Sequence, residues 1–190
     1  MASNPSPRIL AFAGSARRAS YNRQLLAVAV AAAQAAGAAV TVLDLNEFVL
    51  PLYHGDLEDA QGMPEPAQRL VGLIAVHNAL LIASPEYNSQ LTPLLKNTLD
   101  WCSRADADPF PGKVGAVVSA SPGPYGGIRS AAMAHQLLDR LGVLVVPATC
   151  NVSKAGEAFD ESGQLKNERT LQQVRTVVQA LIDAARRQAQ

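Results

Sequence analysis

The sequence has few of the residues that are typical of several classes of protein, and their low number restricts the functions that the protein can have. Only two cysteines, Cys102 and Cys150, occur in 190 residues, and they form no CxxC pair. Such cysteine usage predicts neither a disulfide framework nor a structural zinc site, and it fits the reducing cytosol. Sixteen basic residues balance 16 acidic ones, so the basic excess that nucleic acid or an anionic membrane surface requires is missing. Aromatic residues make up only 5% of the chain, which also disfavours a platform for stacking nucleic-acid bases.

Long hydrophobic runs are also missing. The longest apolar runs, near residues 79–83 and 142–146, are far shorter than the roughly 20 residues that span a bilayer. No apolar segment of signal-peptide length follows the polar N-terminal residues. The three histidines are scattered over different predicted elements, which disfavours a metal site. We therefore expect a cytoplasmic protein without a nucleic-acid partner, a membrane partner or a bound metal.

Short apolar runs alternate along the chain with segments of helical periodicity. Five strands are predicted, at residues 9–13, 40–45, 79–83, 114–118 and 143–146. Thr92 followed by Pro93 is typical of a helix start, and Gly142 is typical of a helix end. Five strands that alternate with five helices predict an α/β fold with a parallel sheet covered on both faces. No repeat or linker interrupts this pattern, so we expect a single domain over residues 1–190.

The loop after the first predicted strand, residues 14–22, is rich in groups that bind anions. It matches neither the GxGxxG of dinucleotide-binding folds nor the GxxxxGK[ST] of P-loops. Instead it combines two serine hydroxyls, one amide and two guanidinium groups, Arg17 and Arg18, at the start of a helix. Backbone N–H groups of a helix N-terminus and a nearby guanidinium together suit a terminal phosphate. The alternative is an ordinary capped helix start whose arginines are solvated.

Two further loops follow the third and fourth predicted strands. Ligands of open α/β sheets bind beyond such carboxyl ends of strands. The loop at residues 84–89 contains Tyr87 and Asn88, whose ring and amide suit a planar heterocycle; the alternative is a turn whose tyrosine packs on a neighbouring helix. The loop at residues 119–127 is rich in glycine, which permits close approach of a ligand or simply a tight turn. The joint placement of the three loops predicts one site.

Four motifs identify a family; three lie in these loops and one lies in the helix predicted to begin at Thr92. They are GSxRxxSxN at residues 14–22, PEYN at 85–88, LKNxxDW at 95–101 and SPGxxGGxR at 121–129. In this order they resemble the NADPH-dependent FMN reductase family, which includes chromate, azo and quinone reductases. The resemblance covers roughly residues 8–150. It implies a flavodoxin-like three-layer sandwich, with a five-stranded parallel sheet in the order 2-1-3-4-5.

The resemblance also implies the cofactors and the residues that bind them. FMN is the expected prosthetic group, NADPH or NADH is the expected hydride donor, and a homodimer or homotetramer is the expected assembly. The cofactor-binding residues fall into three groups, around the phosphate, along the ribityl chain and ring, and on the opposite side. The phosphate group comprises Ser15, Arg17, Ser20, Tyr21 through its backbone, and Asn22. The second group comprises Pro85, Glu86, Tyr87 and Asn88, and the third comprises Ser121 and Gly123.

The expected reaction is a ping-pong hydride transfer through N5 of FMN to a small acceptor. Quinones, chromate, azo compounds and free flavin are all candidate acceptors, and no catalytic side chain is assigned. Two departures from the family pattern put substrate access in question. Residues 89–93 replace the usual Pro-Gly pair, and His77-Asn78 stand where small and acidic residues are commoner.

Two other functions stay open at this point. A flavodoxin-type electron carrier shares the fold, but such carriers are typically strongly acidic, whereas this chain has no net charge. A serine hydrolase is suggested by residues 119–123, which partly match the GxSxG nucleophile elbow. That fold places its catalytic histidine late in the chain, and no histidine follows His135 here.

Overall fold

The computed structural model describes residues 6–188, which form eight strands and seven α-helices. The strands are β1 (Arg8–Ala13), β2 (Ala39–Leu43), β3 (Ala79–Ala83), β4 (Glu86–Tyr87), β5 (Gln90–Leu91), β6 (Val114–Ala120), β7 (Leu144–Val145) and β8 (Cys150–Val152). The helices are α1 (Tyr21–Ala35), α2 (Gly55–Gln61), α3 (Glu65–Val76), α4 (Pro93–Cys102), α5 (Ile128–Arg140), α6 (Ala155–Ala158) and α7 (Glu168–Gln188). A 3₁₀-helix covers Leu45–Glu47.

The central sheet is parallel and has the order β2-β1-β3-β6-β7, with β8 also paired to β6. The predicted α/β class and the order 2-1-3-4-5 are therefore confirmed. The predicted count of five strands is wrong, because the fifth position is shared by two short strands. β7 pairs with the start of β6 at Val114, and β8 pairs with its end at Ala120. Pro147 lies between β7 and β8 and has no N–H to continue the ladder.

Helices cover both faces of the sheet, as the uninterrupted apolar run of β3 predicts. All five residues of β3 are fully buried, as expected for a strand covered on both sides. Side chains of a strand point alternately to opposite faces. Accordingly, Ile9 and Ala11 of β1 pack in the layer that contains residues of α1 and α7, and Leu10 and Phe12 pack with residues of α3, α4 and α5.

The predicted helix ends are confirmed at α4 and α5. The hydroxyl of Thr92 accepts a hydrogen bond from the N–H of Leu95 at 3.2 Å, and Pro93 is the first helical residue of α4. Pro93 needs no hydrogen-bond partner there, because the first N–H groups of a helix have none within it. Helix α5 ends just before Gly142, whose φ of 82° is easily adopted only by glycine.

Two elements of the structure are absent from the sequence prediction. Helix α2 lies in the polar segment at residues 46–62, and none of its residues, all within the described range, is buried. Strands β4 and β5 form a hairpin whose turn residues, Asn88 and Ser89, have φ values of 52° and 66°. Tight hairpin turns require such positive φ values, and asparagine tolerates them better than most residues. Among residues 6–188, no helix is long and apolar enough to cross a membrane.

Candidate active site

The three loops predicted from the sequence meet at one cavity of about 230 Å³ at the carboxyl end of the sheet. Residues from the loops after β1, β3 and β6 line it: Ser15, Arg17, Ser20, Tyr21, Asn22, Pro85, Glu86, Tyr87, Ala120, Ser121 and Pro122. Nine of the 11 predicted cofactor-binding residues are among them. Asn88 and Gly123 are not: Asn88 lies in the turn of the hairpin, and the N–H of Gly123 donates to the hydroxyl of Ser121 at 3.2 Å.

Helix α1 begins at this cavity with an incompletely satisfied N-terminus. Ser20 is its N-cap residue and is 6% exposed, but its hydroxyl makes no capping hydrogen bond within the described chain. The first N–H groups of any helix also have no intrahelical partner, and here the first turn contains no acidic residue. The start of α1 therefore offers the cavity free N–H groups, the positive end of the helix dipole and a free hydroxyl. This is the arrangement that binds anions.

The arginines of this region differ in their positions. Arg17 lines the cavity, and its backbone N–H donates to the hydroxyl of Ser15 at 3.3 Å, which stabilises the turn. Arg18 is exposed and does not line the cavity. Arg23 is paired with Asp44 at 2.6 Å. Arg17 is thus the guanidinium that the turn makes available to an anion in the cavity.

Asn22 links the first loop to the third. Its side-chain nitrogen donates to the carbonyl of Ala120 at 2.8 Å, and its side-chain oxygen accepts from the N–H of Ala120 at 3.0 Å. Both polar ends of this buried amide are used within the protein. The sequence motif implies that Asn22 lies at the phosphate, but its side chain holds β6 against α1, which leaves only its backbone N–H for an anion.

Glu86 is also committed to the protein. Its carboxylate accepts hydrogen bonds from the Arg129 side chain, at 2.9 Å from Nε and 2.6 Å from a terminal nitrogen. It also accepts from the backbone N–H groups of Arg129 at 3.1 Å and Ser130 at 3.3 Å. Burial tends to raise the pKa of Glu86, but the Arg129 side chain and the Ser130 N–H outweigh it and hold the pKa below its usual value. Glu86 is therefore an ionised cap on α5.

The glycine-rich loop crosses β8 at very close range. A Cβ on Gly126 would lie 2.8 Å from the carbonyl carbon and oxygen of Asn151. Gly126 and Gly127 also have φ values of 61° and 82°, which side-chain-bearing residues rarely adopt. The hydroxyl of Ser119 lies 2.7 Å from both the Gly126 carbonyl and the Asn151 side-chain oxygen. Gly126 thus permits the packing of the loop onto β8, and Gly127 lies against Ser119 of β6, whose side chain is 3.1 Å from where a Cβ on Gly127 would be.

Neither of the two departures from the family pattern lines the cavity. Thr92 is 2% exposed, and its hydroxyl donates to the carbonyl of Gly14 at 2.7 Å. The ring nitrogens of His77 lie 2.6 Å from the Leu73 carbonyl and 2.8 Å from the Thr41 hydroxyl. His77 precedes β3, at the end of the sheet opposite the cavity. Thr92 therefore supports the first loop, and His77 is structural.

The serine-hydrolase alternative finds no base at this site. No described histidine lines the cavity. His54 accepts from the N–H of Leu57 at 3.2 Å at the start of α2, and His77 lies beyond the other end of the sheet. Within residues 6–188, no group of three or more metal-ligating side chains is placed to hold an ion.

Sequence and structure comparisons identify the family. The family model described as NADPH-dependent FMN reductase matches residues 7–157. The chain belongs to this family. An NAD(P)H-dependent FMN reductase of Pseudomonas aeruginosa is 35% identical over 176 residues, which cover 92% of each chain. A quinone reductase of Pseudomonas putida is 34% identical over 175 residues, which cover 90% of this chain and 88% of the relative.

A solved structure agrees with this assignment. FerB, a flavoenzyme NAD(P)H:(acceptor) oxidoreductase from Paracoccus denitrificans, superposes with a TM-score of 0.82 at 28% identity. The match covers 95% of this chain and 98% of FerB. The protein is therefore an FMN-dependent NAD(P)H oxidoreductase with a flavodoxin-like fold, and the electron-carrier and hydrolase interpretations are wrong.

Proposed function

We propose that this oxidoreductase is a quinone reductase that binds the phosphate of FMN at the β1–α1 turn. Ser15, Arg17, Ser20 and the first backbone N–H groups of α1, at Tyr21 and Asn22, are the proposed ligands. The observation that carries the proposal is the open N-terminus of α1, with its uncommitted Ser20 hydroxyl beside Arg17. Hydroxyl, guanidinium and helix N–H groups are the donor set that a phosphate dianion requires.

The remainder of the cofactor is proposed to lie between the second and third loops. Pro85, Glu86 and Tyr87 line one side of the cavity and Ser121 lines the other, and Asn88 and Gly123 are proposed to contact the cofactor from beside them. The hydride chemistry between NAD(P)H and the acceptor is supplied by FMN when it is bound. The protein binds, orients and shields the reacting groups, and no side-chain acid or base is assigned.

Quinones are the acceptors that we favour over chromate, azo compounds and free flavin. Tyr87 and Tyr125 are 48% and 64% exposed near the cavity, and flat aromatic surfaces suit a flat quinone ring. The names of relatives such as the Pseudomonas putida quinone reductase support the same choice. The chain has no net charge, so no excess of positive charge favours chromate, a dianion.

A homodimer, or a homotetramer built from it, is proposed to complete the site. The cavity of about 230 Å³ is smaller than the ~300–1,000 Å³ typical of pockets that enclose a ligand. Ile128 and Met133 on α5 are 50% and 38% exposed, next to the loop that contains Tyr125. A second copy that covers these apolar side chains would also cover the open side of the cavity. Light scattering at micromolar concentration tests this, and a monomer contradicts it.

The cellular location and domain organisation are part of the same proposal. Cys102 and Cys150 are free and buried. Burial raises the pKa of their thiols to about 12 and about 11, which leaves both unreactive. Such reduced thiols suit a protein that works in the cytoplasm. Residues 1–190 are proposed to form a single reductase domain.

The proposed function is tested with the purified protein. We expect a yellow protein with a bound flavin spectrum, reduction of that flavin by NADPH or NADH in stopped-flow experiments, and reoxidation by a water-soluble benzoquinone. A colourless protein that takes up no FMN on titration contradicts the cofactor site. Rapid flavin reduction followed by slow reoxidation with quinone but fast reoxidation with chromate contradicts the choice of acceptor.

A further inference from the structure

The carboxylate of Glu86 has no free acceptor site. Oε1 accepts two hydrogen bonds from the Arg129 guanidinium, and Oε2 accepts one each from the backbone N–H groups of Arg129 and Ser130. A carboxylate has about four lone-pair sites, so these four bonds use them all. The Glu86 side chain is only 9% exposed, whereas that of Arg129 is 52% exposed. Glu86 cannot bind a cofactor hydroxyl through its carboxylate without losing one of these bonds.

The same bonds join two walls of the cavity. Glu86 follows β3, and Arg129 lies in the first turn of α5, immediately after the glycine-rich loop. A chain of buried hydroxyls strengthens the joint. The hydroxyls of Ser84 and Ser130 lie 2.6 Å apart, and the hydroxyl of Ser130 donates to the carbonyl of Pro85 at 2.6 Å. Three successive residues after β3 are thus fixed to the start of α5.

Arg129 extends the connection to the glycine-rich loop. Its guanidinium carbon lies 5.2 Å from the ring centroid of Tyr125, in cation–π geometry. The guanidinium is therefore held between the carboxylate of Glu86 and the ring of Tyr125. Without the carboxylate of Glu86, the long, half-exposed side chain of Arg129 would be free to move. Arg129 would then no longer orient the ring of Tyr125.

We infer that Glu86 is a positioning residue of the flavin site. Through Arg129 it fixes the loop after β3 relative to the glycine-rich loop, and its carboxylate does not contact FMN. This inference rests on the proposed flavin site and changes the role that the family motif implies for Glu86. It predicts that Glu86 and Arg129 act as one unit in cofactor binding.

The test compares Glu86→Gln with a matched control, Glu58→Gln. Glu58 also pairs with an arginine, since both of its carboxylate oxygens lie 3.1 Å from Nε of Arg104, but it does not line the cavity. The dissociation constant of FMN is measured from flavin fluorescence on dilution of the holoenzyme. Because a charge-assisted hydrogen bond contributes more than a neutral one, we expect Glu86→Gln to raise this constant about tenfold. We also expect it to change the visible circular dichroism of the flavin, and we expect Glu58→Gln to change neither.

A double-mutant cycle with Arg129→Met separates positioning from direct contact. If Glu86 acts through Arg129, the double variant binds FMN no more weakly than the weaker single variant. Additive losses, or an unchanged dissociation constant in Glu86→Gln, overturn the inference. If Glu86→Gln does not fold, Arg129→Lys is measured against wild type instead, because lysine keeps the charge but loses the planar fork. An unchanged dissociation constant of FMN in Arg129→Lys also overturns the inference. Failure of the wild-type protein to bind FMN would instead contradict the proposed function.

Discussion

The side-chain amide of Asn22 pairs with the backbone of Ala120, 98 positions later in the chain, through hydrogen bonds of 2.8 Å and 3.0 Å. The first turn of α1 is thereby attached to the end of β6. The loop before α1 and the loop after β6 both line the candidate site. The distance between the proposed phosphate ligands and the glycine-rich loop is thus set by one buried side chain.

Asn22→Ala is expected to destabilise the protein. It leaves the N–H and the carbonyl of Ala120 without their side-chain partners, and unsatisfied buried polar groups cost about 1–3 kcal/mol each. We expect the free energy of unfolding of the FMN-free protein in urea to fall by about 2–6 kcal/mol. Asn46→Ala is the control, because Asn46 is exposed and its side-chain bonds, to the Ala16 carbonyl at 3.3 Å and to the Asp44 carboxylate at 2.9 Å, are exposed to water. Equal losses for the two variants would contradict the role given to Asn22.

Local patterns predicted the elements that bury apolar side chains or begin with a cap. The run at residues 79–83 is β3, and Thr92 with Pro93 begins α4. The hairpin of β4 and β5 was not predicted, since its strands have two residues each and its turn has no glycine. Helix α2 was missed because it has no buried face to produce a helical period.

Long-range contacts between polar groups were beyond sequence reasoning. The motif SPGxxGGxR contains Arg129, but nothing in its spacing indicates a partner 43 positions earlier at Glu86. The motif LKNxxDW contains Trp101, but its spacing likewise indicates no partner for the indole N–H. Trp101 is fully buried, and its indole N–H donates to the carbonyl of Pro51 at 2.8 Å. Periodicity gives the face of a helix that is buried, but not the partner that a polar group will find.

Arg17→Ala is expected to weaken FMN binding more than Arg18→Ala does. Both arginines are exposed, but only Arg17 lines the cavity. A hydrogen bond to a charged group contributes about 1.5–3 kcal/mol, so the dissociation constant of FMN should rise at least about tenfold in Arg17→Ala. Arg18→Ala should change it by less than about threefold, through screened long-range attraction only. Flavin fluorescence titration of the two variants measures both dissociation constants. Equal increases in the two variants would contradict the assignment of Arg17 to the phosphate site.

Gly126→Ala tests the close crossing of the glycine-rich loop over β8. Its Cβ would lie 2.8 Å from the Asn151 backbone, in addition to the strain of a φ of 61°. Gly163→Ala is the matched control, because Gly163 has a φ of 81° but nothing within 4 Å of the added Cβ. The control should lose about 1–2 kcal/mol from backbone strain alone. Gly126→Ala should lose at least about 2 kcal/mol more in urea unfolding, and similar losses would show that the crossing tolerates a side chain.

The ion pair of Glu86 predicts a specific dependence of stability on pH. Burial acts to raise the pKa of Glu86, but the bonds from the Arg129 side chain and from the Ser130 and Arg129 N–H groups lower it below 4.5 overall. A group whose pKa is lower in the folded state binds protons more weakly there than in the unfolded state. Its stabilising contribution is therefore complete above the unfolded pKa and is lost as the pH falls through the folded pKa.

Wild type and Glu86→Gln should accordingly differ in unfolding free energy near neutral pH and converge in acid. Urea unfolding of both proteins between about pH 7 and pH 3 measures the difference, which should shrink below about pH 4.5. Glu65→Gln is the control, because the ion pair of Glu65 with Arg69 is 3.7 Å long and exposed, and such pairs contribute little. A difference between wild type and Glu86→Gln that stays constant down to about pH 3 would mean that the charge of Glu86 does not stabilise the junction between β3 and α5, and that the shape of the side chain alone does so.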